Sequence, residues 1–160
     1  MKKLNKNHLL KNILSALAIA FLGFILLSLA FLIDFLFQIM IDSLIALFTP
    51  VDFNMDWHWF PPLKHVIFLI IICLISWFVF RSKLKDIYKA IYMTVPVAVV
   101  LVTVGMFLYQ WPWTVYLTGS IFCLGVLYYL YRTKQPWLYY YAMILVGLAM
   151  AVFTLLGGEI

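Results

Sequence analysis

Polar positions are sparse along this chain, and what lies between them is almost uninterrupted hydrocarbon. Five apolar runs stand out, at about 13–33, 63–80, 87–108, 113–130 and 137–156. Each is near the ~20 residues a helix needs to cross a bilayer. Three open beside a proline, Pro62, Pro112 or Pro136; proline suits a first helical turn, whose N–H groups have no partner inside the helix. Gly157, in "GGEI", is a natural stop for the last run. The pattern predicts five spanning helices joined by short links such as "YQWPW" and "RTKQP", and short links make neighbours antiparallel. No internal repeat is visible.

A further apolar stretch follows the first run directly, "LIDFLFQIMIDSLIALFTP", 32–50. It is too short and too interrupted for another span. A straight helix over 13–48 would be about 54 Å long, nearly twice the hydrocarbon thickness. The expectation is therefore a turn near Ile33–Asp34, with no Gly or Pro to mark it. A helix over 34–49 would then lie in the outer interface. At 100° per residue Asp34, Gln38, Asp42 and Thr49 share an arc of roughly 80°, and the rest is Phe, Leu, Ile and Met. Interfacial helices usually present Lys and Arg to anionic lipid; this one presents acids. Two readings stay open: an amphipathic flap with solvated acids, or a stripe that pairs with basic residues of a partner or with a cationic ligand. The external loop is expected over 50–62.

Charge placement orients the spans. Lys2, Lys3, Lys6 and Lys11 precede the first; Arg81, Lys83, Lys85 and Lys89 follow the second; Arg132 and Lys134 follow the fourth; Lys64 stands apart. With the N-terminus in the cytoplasm, all of these but Lys64 fall inside, as the positive-inside bias requires. Asp34, Asp42, Asp52, Asp56 and Glu159 then fall outside, and the C-terminus is external. A sixth crossing over 32–50 would invert every later segment and put the 81–89 cluster outside. Trp57, Trp59, Tyr109, Trp111 and Trp113 are expected at the outer boundary, and Tyr88, Tyr131, Trp137, Tyr139, Tyr140 and Tyr141 at the inner one, where amphipathic rings settle.

Composition agrees. The 160 residues are 67% hydrophobic and 11% charged, whereas soluble domains carry about 25% charged residues. So short a chain has too little interior to bury this much apolar surface in water. The expectation is one all-α integral membrane domain over 1–160 in a bacterial or archaeal plasma membrane. The net charge of +5 reflects topology and not a nucleic-acid face, which needs a folded polar surface. The basic start resembles a signal peptide, but its small residues at 16–20 sit at the start of the apolar run and not after it, and the run exceeds the usual 7–15 residues; an uncleaved span is expected. Cys73 and Cys123 sit within apolar runs, read as buried thiols, and there is no CxxC.

Few places remain for chemistry. "PVDFNMDWHWFPPLKH" supplies Asp52, Asp56, His58, Lys64 and His65 next to the acidic stripe. Asp with His makes an acid–base pair, though no spacing matches a metal signature, and neither a metal nor a cofactor is predicted. His8 is expected to be inert. No ionisable residue sits at the centre of a span, which argues against a pump. Pro96 is expected to kink the third span, near Thr94, Thr103 and Ser120. Ala16, Ala20, Gly23, Gly105, Gly119, Gly125, Gly147 and Ala151 suit close helix contacts.

The first expectation for function is a non-catalytic subunit of a larger membrane assembly such as a transport complex, with Asp34, Gln38 and Asp42 as the contact to a partner and with other membrane subunits or a homo-oligomer as company. The alternatives are an outer-leaflet enzyme on a lipid-linked substrate, with Asp34, Asp42, Asp52, Asp56, His58 or His65 as acid, base or ligand, and a small oligomeric transporter.

Overall fold

The computed structural model describes residues 6–48 and 60–155. Among them are five helices: α1 (Lys6–Phe48), α2 (Phe60–Arg81), α3 (Asp86–Leu108), α4 (Pro112–Arg132) and α5 (Trp137–Leu155). All five are long and apolar enough to cross a membrane, which marks an integral, multi-pass membrane protein. The expected spans and helices α3, α4 and α5 agree at their ends to within two residues. In lipid the backbone must satisfy its own polar groups, which leaves helix as the available state for such segments. Hydroxyls in the spans conform too: Ser28, Ser43, Ser76 and Thr103 each donate to the carbonyl four residues back, at 2.7–2.9 Å.

The bundle is organised around α3, which touches all four other helices and carries the most buried face, including Ala90, Val95, Ala98 and Val99. It runs unbroken through Pro96. On one side α1, α3, α4 and α5 close a main core with Ile19, Met93, Ala142 and Met143. On the other, Ala30 of α1, Phe68 and Ile72 of α2 and Val95 and Val99 of α3 form a smaller one. Gly23 lets α1 approach α3: a Cβ there would stand 3.0 Å from Thr94 Cγ2. Gly119 lies near Leu101 and Gly147 near Cys123, at ordinary contact distance for an added Cβ, whereas Gly125 faces open space. The link from α4 to α5 ends α4 in a Schellman turn. Gln135 N–H donates to Leu130 O at 3.1 Å and Lys134 N–H to Tyr131 O at 3.2 Å, with Lys134 in the left-handed region at φ 51°.

The expected turn at Ile33–Asp34 is absent: α1 is one helix of 43 residues. Nothing in 28–42 breaks helix, and the pair Asp34–Gln38, four residues apart, bonds across one turn. Bilayer thickness limits how much of a helix is in hydrocarbon, not how far it continues. Gly23 and Thr94 lie at one level, so fourteen residues further along each parallel helix the end of α3 at Leu108 is level with Phe37. The last eleven residues of α1 then project about 16 Å beyond α3. That end, where α1, α3 and α5 finish, is called distal here. Phe60, Pro61 and Pro62, expected in the external loop over 50–62, belong to α2; residues 49–59 lie outside the described residues.

Among the expected interface aromatics, Tyr109, Trp111, Trp113, Tyr88 and Tyr131 are exposed. Tyr139 is not: it is buried in the main core, with its hydroxyl 3.5 Å from Asp86. The two cysteines are free thiols; Cys73 is exposed rather than buried, and Cys123 is half-buried.

Candidate functional site

Five of the polar residues singled out in the sequence meet between α1 and α2, near the distal end. Asp34, Gln38 and Asp42 are four residues apart and so share one face of α1. His65 lies in the second turn of α2, which runs antiparallel. Its Nδ1 is 2.9 Å from Asp34 Oδ2, and the Gln38 side-chain amide donates to that same oxygen at 3.0 Å. Lys64 donates to both oxygens of Asp42, at 2.8 and 2.9 Å. Adjacent residues reach two levels because helical side chains lean toward their own N-terminus. For α2 that direction is distal, and the long lysine stem spans the extra turns.

Burial divides the cluster. Asp34 and His65 are almost wholly enclosed, at 5% and 1% exposure. Phe68 sits beside the imidazole, ring centres 6.2 Å apart, and Phe37 packs against Phe68. Lys64 is buried, but the Asp42 side chain is 56% exposed, so solvent screens that end of the bridge. The stripe does meet basic residues, and those described are in its own chain.

Asp34 Oδ2 accepts from Gln38, and with Asp34 as a carboxylate the contact to His65 is a hydrogen bond donated by Nδ1–H. Nε2 is then the free ring position. Among the described residues neither His65 Nε2 nor Asp34 Oδ1 has a partner, and both are buried. A carboxylate that orients an imidazole and leaves its second nitrogen uncommitted is the orienter–base half of an acid–base relay. It is also a polar contact that fixes how two apolar helices meet. A group of three or more metal-ligating side chains does not occur among the described residues.

The sequence pointed to all five residues but did not show that Lys64 and His65 pair with the acidic stripe. The signal was positional: Lys64 is the one basic residue away from the three basic clusters, and it opens the span following the acidic stripe. Asp52, Asp56 and His58 lie outside the described residues, as does the side chain of His8. Thr94 and Thr103 are buried on α3 and donate to carbonyls of their own helix, while Ser120 faces a crevice between α4 and α5.

No protein-family model, no curated protein and no solved structure matches this chain.

Proposed function

We propose that the chain is a non-catalytic subunit of a larger membrane assembly, with its N-terminus in the cytoplasm, its C-terminus outside, and the distal end of α1 as its docking element. The observation that carries this is the reach of α1. The 23 residues of α3 make about 34 Å of helix, enough for the hydrocarbon layer. The part of α1 beyond them leaves that layer, yet it exposes Leu44, Leu47 and Phe48. An apolar helix surface of this kind is stable when another protein or the interfacial layer covers it. The polar face of 34–42 turns to α2, so only the tip beyond Asp42 is left for the interface or a partner. The basic clusters before α1, between α2 and α3 and between α4 and α5 support the orientation.

The test is purification from native membranes in mild detergent, wild type against a Leu44→Glu/Leu47→Glu variant. Specific proteins that accompany the wild type and are lost from a folded variant support the reading. A chain recovered alone from both, or partners retained by both, rejects it.

A second reading, an outer-leaflet acid–base site, is favoured by the Asp34–His65 pair with its uncommitted Nε2. In that case His65→Gln changes the composition of the outer-leaflet lipid-linked pool while the protein stays folded; an unchanged pool removes it. A transport path beside Pro96 gains no support, since Val95, Val97 and Val99 pack tightly around it.

A further inference from the structure

Away from the polar cluster, α4 is the least buried helix of the bundle, and between it and α5 a crevice of about 450 Å³ opens, floored by Leu101 and Val104 of α3. Its walls run from Val115 to Leu127 on α4 and from Met143 to Thr154 on α5. They cover twelve and eleven steps of helix, a length of about 16–18 Å. The crevice lies along the side of the bundle and is open to the surrounding hydrocarbon, and most of its lining is apolar. An extended alkyl chain lying along the cleft meets that apolar lining over most of its length.

We propose that the crevice is a binding site for one acyl chain of a membrane lipid. The lining matches that ligand along its length. It is apolar from Met143 and Leu127 up to Leu148, and the polar atoms gather toward the distal mouth, where the Tyr116 phenol and the Thr154 hydroxyl can meet the ester region. The chain enters sideways, because Leu124, Ile144 and Leu148 on the rims are themselves exposed to the hydrocarbon around the bundle. Gly147 keeps the cleft open: an added Cβ there has ordinary contact with Cys123 Sγ, and a larger side chain fills the space. With the N-terminus in the cytoplasm, the lipid belongs to the outer leaflet. The site itself does not depend on the subunit reading, since it is built within one chain.

The experiment uses the full chain in phosphatidylethanolamine–phosphatidylglycerol vesicles doped with a phosphatidylglycerol that carries a diazirine in its acyl chain. After irradiation, adducts are mapped by peptide mass spectrometry. The expected result is adducts concentrated on the crevice walls around Cys123, Leu127 and Met143, and their loss in Gly147→Leu with labelling at lipid-facing Phe78 unchanged. Ser120→Phe fills the same space from an exposed position and replaces Gly147→Leu if that variant does not fold. Adducts no denser in the crevice than at Phe78 and Leu117, adducts that survive both filling variants, or crosslinks there to a second polypeptide would each overturn the proposal.

Discussion

Replacing Asp34 and His65 with leucine, singly and together, separates what their contact contributes from what its absence costs. The two side chains are enclosed, their contact is 2.9 Å, and the surroundings are Phe37, Phe68 and aliphatic neighbours. Asp34→Leu leaves the His65 Nδ1–H without an acceptor. A buried unsatisfied donor costs about 1–3 kcal/mol. Gln38 is half-buried and can turn its amide to water, so it adds little. His65→Leu leaves a carboxylate held by Gln38 alone, and removing one partner of a buried pair costs about 3–5 kcal/mol. Leucine at both positions removes both polar groups and keeps most of the volume, a change that is often neutral or stabilising. The expectation is two destabilised single variants and a double variant within about 1 kcal/mol of wild type, a coupling at or above the top of the usual 0.5–3 kcal/mol range for touching residues. Reversible unfolding in mixed micelles, titrated with a denaturing detergent, measures all four corners. Single variants each within about 0.5 kcal/mol of wild type, or a double variant equal to the sum of the singles, would refute the contact.

Five further outcomes are expected. Gly23→Leu drives a side chain into Thr94, where even a Cβ stands at 3.0 Å, and should lower stability in the same unfolding titration by about 3 kcal/mol or more, whereas Gly125→Ala meets nothing and should be neutral or stabilising by up to ~1 kcal/mol. Lys134→Gly should stabilise by about 1 kcal/mol, measured the same way, because Lys134 holds a left-handed φ of 51° that suits glycine. Asp42→Ala leaves the buried Lys64 without this carboxylate and should cost about 1–2 kcal/mol, less than a fully enclosed pair because Asp42 is half in solvent. A cysteine or tag added after Ile160 should react with a membrane-impermeant reagent in intact cells; reaction only after lysis would reverse the orientation.

What the sequence made legible follows from what lipid demands. Helix ends at Leu108, Pro112, Arg132 and Trp137 were readable because proline, basic clusters and aromatic rings all change at the same place, where hydrocarbon ends. The first helix was misread because membrane thickness was treated as a limit on helix length. The chain around Ile33 has no breaking residue, so local physics favoured continuation, and local physics prevailed. The site was half legible. The 3.6-residue period put Asp34, Gln38 and Asp42 on one face, but periodicity says nothing about what that face meets. His65 and Lys64 become partners only when α2 folds back antiparallel, which fixes His65 opposite Asp34 and carries the lysine stem on to Asp42. The crevice was not legible at all: Gly147 and Ser120 mark it only once α4 and α5 are placed side by side.

The position of the polar cluster has a physical reason that does not depend on which function is correct. Inside a bilayer, apolar side chains gain little by leaving lipid for one another, so packing alone specifies helix register weakly. The main core fixes α1, α3, α4 and α5 against each other. Helix α2 is held to one side by a smaller cluster, and this is the helix that receives both the His65–Asp34 contact and the Lys64–Asp42 bridge. A slide of one turn between α1 and α2 breaks both at once, so the two contacts specify a single register. The Asp34→Leu/His65→Leu variant separates that role from chemistry: it keeps Lys64–Asp42 and the apolar volume, and so keeps the register. If the pair only sets register, partner proteins co-purify with the double variant as with wild type, and its cells match wild type. If the pair transfers a proton in a reaction, the double variant folds, assembles and still fails in the cell. Failure of the Leu44→Glu/Leu47→Glu variant to retain partners, with the double variant retaining them, would place assembly at the tip of α1 and leave the buried pair as a structural lock.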